Sequence, residues 1–413
     1  MNKSPVSLFL LSVITGILFI QACTTPERQA FEDQKVLLIS IDGFMPDYFT
    51  DFDTPALDRL ASSGVLADHM IPVFPTKTFP NHYSIVTGLY TENTGVIANN
   101  MYDPVMDARF SLGNRDAVSN GEWYGGEPIW VTAETQGVST ATMFWPGSEA
   151  EINGVRPTRW MPYDDDMPYK ARVDTIVSWL QVDDDTEPRF LTLYFSKVDS
   201  YGHRYGTESD SVRAAVREVD GHIGYLLDEI ERIGADDELN IIITSDHGMA
   251  DLSSDRVIVL DDIIDMDKVN VIDWTPVAMI QPLEGEKENV YQQLKEAENN
   301  YSVYKKEEIP AVYHIKNSIR VPEIMMIADV GYTITTNEYM VTRDITGATH
   351  GYDHRAPEMR SFFLAFGPAL RQGFVSGPFQ SIHLYDMMAH LLDVNPAPND
   401  GSLDSLRHVL REP

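Results

Sequence analysis

Cysteine is almost absent: Cys23 is the only one among 413 residues. The folded body therefore forms no internal disulfide, and its stability must come from core packing, metal, or both. Basic residues are scarce as well, with 31 Lys and Arg against 63 Asp and Glu and a formal net charge of −32. That balance argues against nonspecific attachment to an anionic bilayer and against a nucleic acid duplex as partner. An anionic substrate would need local metal charge to offset the field. No internal repeat, long low-complexity stretch or Pro- and Gly-rich linker divides the chain. With 43% hydrophobic residues, this length allows one large α/β domain or two smaller ones, and the single domain is the favoured reading. The acidic clusters Asp164 to Asp166 and Asp183 to Asp185 read as solvated loops.

The N-terminus reads as a targeting segment. Lys3 precedes an apolar run from Val6 to Ile20, too short for a spanning helix and suited to the apolar core of a signal peptide. Ile20-Gln21-Ala22-Cys23 resembles the lipobox of bacterial lipoproteins, with Gln21 a departure from its commonest form. The resemblance implies a signal peptide over 1–22, lipidation of Cys23, a tether over 23–34, and a protein exported and lipid-anchored to the bacterial cell envelope. An ordinary cleaved signal with an incidental cysteine is the alternative.

Strands and helices alternate along the body. Val36 to Ile41 is a continuous apolar run ending at Asp42-Gly43, the pattern of a buried parallel strand whose carboxyl end delivers a functional side chain. Phe190 to Phe195 followed by Asp199, and Leu239 to Thr244 followed by Asp246, repeat it. Ligands of open α/β sheets bind beyond the carboxyl ends of strands, so these acids can converge. Helical spacing marks Ala171 to Leu180 and Ser211 to Ile233; Phe362 to Phe366 reads as a late strand and Tyr385 to Leu392 as a closing helix. Residues 251–342 read as an insertion or cap, with strands at Ala278 to Ile280 and Ile324 to Ala328 and a polar helix over Val290 to Asn299. The catalytic domain is expected over 35–396, followed by a tail over 397–413.

Asp42, Asp199, His203, Asp246, His247 and His350 suit a two-metal site, because carboxylate oxygens and neutral imidazoles bind Zn²⁺ and two such ions can clamp a transferring phosphoryl group. In Thr76-Lys77-Thr78-Phe79-Pro80, Pro80 suits the first turn of a helix, which puts Thr78 at its N-terminal entrance. Partial positive charge gathers there. Taken alone, Thr78 reads as an ordinary N-cap, and only the surrounding constellation makes it a nucleophile candidate.

Further segments accompany it: Ile41-Asp42-Gly43-Phe44, Pro80-Asn81-His82-Tyr83-Ser84-Ile85-Val86-Thr87-Gly88, Trp145-Pro146-Gly147-Ser148, Asp199-Ser200-Tyr201-Gly202-His203 and Ser245-Asp246-His247-Gly248-Met249. Together with the Thr78 segment these resemble the nucleotide pyrophosphatase/phosphodiesterase family of the alkaline phosphatase superfamily, across most of residues 36–395. The resemblance implies an alkaline phosphatase-like three-layer α/β/α sandwich with a mostly parallel sheet. It also implies two Zn²⁺ per chain, one on Asp199, His203 and His350, the other on Asp42, Asp246, His247 and the Thr78 oxygen. Thr78 would then form a covalent nucleotidyl-threonine, and Asn99, 21 residues on, would donate to a nonbridging phosphate oxygen, with Asn100 an adjacent alternative. Phe79 and Tyr163 would sandwich a nucleobase, with Leu112 and Trp145 lining the pocket. His82, His222 and His354 carry no comparable pattern and read as structural or surface residues. Some family members place a lysine near Ala117 to reach a distal phosphate; this chain has Ala there.

The expected activity is cleavage of nucleotide phosphodiester or pyrophosphate bonds to nucleoside 5′-monophosphates. A phospholipid-type phosphodiesterase acting on lysophospholipid or glycerophosphocholine is the enzymatic alternative, and the Trp145 segment and the Phe79/Tyr163 pair favour nucleotides. Sulfatase chemistry needs a formylglycine precursor in a different motif, where this chain carries Thr78. A noncatalytic surface lipoprotein using the fold as a binding module would be marked by loss of a ligand or of the nucleophile, and every expected position is occupied.

Overall fold

Residues 34–411 and Met1 are described by the structure, a computed structural model. Val6 to Ile20 and Cys23 lie outside the described residues. Lys35–Ile41, at the heart of the chain, is buried throughout and pairs in parallel with Phe190–Phe195 on one side and Leu239–Thr244 on the other. An unbroken apolar run is what a strand covered on both faces requires. Eight strands form this sheet, in the order Phe374–Ser376, Val65–Ala67, Phe363–Phe366, Leu239–Thr244, Lys35–Ile41, Phe190–Phe195, Thr140–Met143, Arg159–Trp160. Only Phe363–Phe366 runs against its neighbours.

Alternate residues of the central strand enter different cores. Leu37, Ile39 and Ile41 pack with Val173, Ile176 and Val177 of the Tyr169–Leu180 helix and with Val216, Ile223 and Leu227 of the Asp210–Ile233 helix. Val36 and Leu38 face the other way, into a core holding Ile85 and Val86 of the Thr78–Thr87 helix and Leu384 and Met388 of the His383–Leu391 helix. The period-two alternation of the strand thus builds the three layers of an alkaline phosphatase-like α/β fold.

The 251–342 segment carries its own antiparallel sheet, ordered Val269–Asp273, Val277–Pro282, Ile324–Ala328, Tyr301–Lys305, with the Lys287–Glu296 helix against it. Ala278, Ile280, Ile324 and Met326 pack on Val290 and Leu294, while Val277, Met279, Met325 and Ile327 join the main core. Two-sided burial of its central strands welds this sheet to the body. The last residues also return to the body: Leu406, Val409 and Leu410 are buried, and Leu410 bridges Leu370. No described helix is long and apolar enough to cross a membrane.

Candidate metal and nucleophile site

Register brings the three acids together. Ser40 lies opposite both Tyr194 and Thr244, so the three apolar strands end level with one another. Asp42 N–H donates to Phe195 O at 3.0 Å and Asp199 N–H donates to Asp42 O at 3.1 Å, tying the residue just beyond the central strand to the first turn of the Lys197–Tyr205 helix. Gly43 completes the junction at φ +67°, with its N–H donating to Asp246 Oδ1 at 3.2 Å; a Cβ there would stand 3.0 Å from Asp199 Cα and Cβ. Only glycine combines that backbone with that approach.

Six ligand-type side chains form two trios, Asp199, His203 and His350, and Asp42, Asp246 and His247, with ligand atoms in each within 4.8 Å of one another. His203 stands one helical turn after Asp199, its Nε2 3.4 Å from Asp199 Oδ1. His350 Nε2 lies 3.1 Å from His203 Nε2, and its ring stacks on that of His247 with centroids 3.5 Å apart. Stacking places the trios side by side.

The hydrogen bonds around them favour a cation. His203, His247 and His350 each turn Nδ1 to a backbone carbonyl, of Ala348 at 2.9 Å, Gly248 at 2.9 Å and Thr76 at 2.8 Å. A carbonyl only accepts, so Nδ1 holds the proton and Nε2 offers a lone pair to the centre. Asp42 Oδ1, Asp199 Oδ1, Asp246 Oδ2 and His247 Nε2 are buried without a hydrogen-bond partner. Orphaned buried carboxylate oxygens are costly unless a cation meets them, so the residues fit a divalent metal pair.

Electrostatics reflect the same strain in the bare protein. Burial lifts the Asp42 carboxyl well above its usual range, and the charges of Asp246 and Asp199 push it further. Asp246 is opposed by burial, yet His247 and His82 beside it hold it well below the usual range. Burial, then the neighbouring His247 and His203, hold His350 well below an ordinary histidine, which keeps it neutral as a ligand must be.

Thr78 opens the Thr78–Thr87 helix, and Pro80 brings no N–H to its first turn. A cavity of about 320 Å³ is lined by Thr78 together with Asp42, Asp199, Phe79, Trp145 and Tyr163, and Leu112, 46% exposed, stands at the same wall. Phe79 N–H donates to Asn99 Oδ1 at 3.0 Å, whereas Asn100 turns its amide to Asp273 at 3.0 Å. The two asparagines therefore part ways at the helix entrance.

The sequence reading missed several neighbours. His82 is fully buried, with Nδ1 2.9 Å from Thr78 O and 3.3 Å from Asp246 Oδ2, and Nε2 2.7 Å from Ser40 Oγ. Its position four residues after Thr78, on the same helix face, was the available signal. Asp165, expected only as part of a solvated loop, lines the cavity and accepts from the Tyr163 hydroxyl at 2.6 Å. Ala117 turns into the core, while Arg115, two residues earlier, lines the cavity and pairs with Glu149. His222 packs on Tyr169 and His354 on Phe74 and Tyr313; neither joins a ligand trio.

The family profile "Type I phosphodiesterase / nucleotide pyrophosphatase" matches residues 36–353. The chain belongs to this family. Members of it similar to this chain include the mouse protein "Bis(5'-adenosyl)-triphosphatase enpp4", 40% identical over 379 residues, covering 91% of this chain and 81% of that one. Human "Ectonucleotide pyrophosphatase/phosphodiesterase family member 5" is 37% identical over 405 residues, covering 98% of this chain and 83% of its own length. The solved structure of the murine ectonucleotide pyrophosphatase/phosphodiesterase 5 superposes with a TM-score of 0.88 at 37% identity, over 92% of this chain and all of that one. An inactive variant of that murine protein, solved in complex with AMP, superposes equally well, with a TM-score of 0.88. Family membership makes the chain an enzyme of phosphodiester chemistry, and the two trios are its candidate metal centre.

Proposed function

We propose that this chain is a two-zinc phosphodiesterase that releases nucleoside 5′-monophosphates from nucleotide diesters and pyrophosphates through a covalent nucleotidyl-threonine. The orphaned ligand atoms of both trios, beside a cavity shared with Thr78, carry this reading. Asp199, His203 and His350 would hold one zinc, and Asp42, Asp246, His247 and the Thr78 oxygen the other. Zinc bound there would supply a lowered hydroxyl pKa and charge for the leaving oxygen.

Thr78 Oγ attacks phosphorus; its bond to phosphorus forms as the bond to the leaving oxygen breaks, and the hydroxyl proton passes to solvent. Water then attacks the same phosphorus, breaks the Thr78 Oγ–P bond and frees the monophosphate. Because Asn99 Oδ1 already accepts from Phe79, its NH₂ group is the end left to donate to a nonbridging oxygen. Phe79 and Tyr163 offer aromatic faces to the base, with Trp145 and Leu112 lining the same cavity. Faces of this kind accept any base, so selectivity among bases is modest. A bacterial lipoprotein signal with Cys23 as the lipidated residue would hold the enzyme at the cell envelope.

The test is hydrolysis of the p-nitrophenyl ester of thymidine 5′-monophosphate, beside ATP and glycerophosphocholine with products identified. Thr78→Ala should abolish turnover of the nucleotide ester. Full activity in that variant would remove the covalent step, and a clear preference for the choline ester would overturn the nucleotide assignment.

A further inference from the structure

Four carboxylates line the cavity that holds Thr78. Asp42 and Asp199 belong to the ligand trios and Glu149 is paired with Arg115, which leaves Asp165 without a metal trio or a cation. Its Oδ1 accepts twice, from the Tyr163 hydroxyl at 2.6 Å and from Ser196 Oγ at 2.9 Å.

Both donors are themselves held. The Tyr169 hydroxyl accepts from Ser196 N–H at 3.1 Å and turns its own proton to Ser196 Oγ at 3.2 Å, so the Ser196 proton is the one given to Asp165. Burial, with the bond to Asp165, holds the Tyr163 phenol above its ordinary range and keeps it a donor. Arg172 pins the backbone as well, donating to Asp164 O at 3.0 Å and Asp165 O at 3.2 Å. The carboxylate is thus fixed through Oδ1, and among the described residues no hydrogen bond reaches Oδ2. An ionised carboxylate only accepts, so Oδ2 calls for a donor from the substrate.

Position decides which donor. Asp165 joins the hydroxyl end of Tyr163, whose face is offered to the base, to Ser196, the residue just before the Lys197–Tyr205 helix that carries Asp199. In a 5′-nucleotide the sugar spans that same interval between base and phosphorus. Ionised phosphate oxygens have no proton to give; a ribose hydroxyl has one.

We propose that Asp165 Oδ2 accepts a hydrogen bond from a ribose hydroxyl, which makes Asp165 a determinant of sugar selectivity. The inference rests on the nucleotide reading above. Its test compares kcat/KM on ATP, 2′-deoxy-ATP and 3′-deoxy-ATP for the wild type, Asp165→Ala, Asp165→Asn and Tyr163→Phe, with the thermal midpoint as folding control. The wild type should favour ATP over one of the deoxy analogues by about tenfold, the worth of one hydrogen bond to a charged acceptor. Asp165→Ala should erase that preference, and Asp165→Asn, which keeps the shape and loses the charge, should lower it by less. Tyr163→Phe keeps the stacking face and removes one of the two bonds that fix Oδ1, so the preference should fall in the same direction. Equal wild-type rates on the three sugars, or a preference that survives Asp165→Ala, would overturn the proposal. So would a changed ATP-to-UTP ratio in Asp165→Ala with the sugar preference intact, which would put Asp165 at the base edge. Failure of the wild type to cleave any nucleotide would instead overturn the diesterase reading, and this inference with it.

Discussion

The hydroxyl of Tyr194 donates to Asp42 Oδ2 across 2.6 Å, joining two buried side chains 152 positions apart in the chain. Burial and the Asp42 charge push the phenol well above its ordinary range, so it remains a donor. With Oδ2 engaged, Oδ1 is the oxygen turned toward His247, 3.6 Å away. Tyr194 thus orients a candidate metal ligand without being one. Tyr194→Phe should lower metal affinity and kcat by about 10- to 100-fold, the range for a lost partner of a metal ligand. Metal content after dialysis and steady-state kinetics check this, and wild-type values in both would refute the orienting role.

Metal removal should cost stability as well as activity. The buried Asp42 and Asp246 and the partly buried Asp199 stand together with orphaned oxygens, and a cation that binds only the folded state stabilises it. Free Zn²⁺ at a hundred times its dissociation constant should add about 2.7 kcal/mol per site. Thermal unfolding with chelator and after zinc re-addition measures the difference. A midpoint indifferent to zinc would speak against both trios as metal sites.

Arg172 is fully buried and bound mainly by carbonyls: Tyr194 O at 2.9 Å, Asp164 O at 3.0 Å and Met167 O at 3.1 Å. Its guanidinium lies over the rings of Phe144 and Tyr169, at 5.1 and 4.8 Å. One side chain thereby fixes the loop that carries Tyr163 and Asp165 to the cavity. Arg172→Lys keeps the charge but not the fork, and should destabilise the fold by about 2–4 kcal/mol through lost charged hydrogen bonds. Denaturant unfolding gives that number, and KM for nucleotide should rise more than kcat falls.

His354 predicts a pH effect. Burial lowers it to about 4 from 6.5, so the folded protein holds it neutral between those values while the unfolded chain protonates it. The unfolded state then binds more protons, and stability rises with pH across that window. The contribution is complete above about 6.5 and lost as pH falls toward about 4. His354→Phe should flatten the acid limb of the thermal midpoint between pH 4 and 6.5. An unchanged slope would show that other groups govern it.

What the sequence settled was local. The apolar runs before Asp42, Asp199 and Asp246 are strands that end at one edge, and the spacing of Asp199 to His203 is one turn of the helix that carries both. A side chain placed just beyond a strand is marked by the strand itself, so convergence of the three acids is legible in the sequence, whereas their division into trios with the histidines is what the family resemblance implies. Tertiary structure alone decided the partners of those ligands. Tyr194 reaches Asp42 because their strands are neighbours, and His82 reaches Asp246 because its helix packs on the sheet face that carries Val36 and Leu38. Neither relation leaves a trace in spacing. Likewise, only the fold brings Trp274 and Tyr339 of the inserted segment to one cavity wall with His203. Contacts between distant segments follow from how layers dock, and periodicity along one segment carries no record of that.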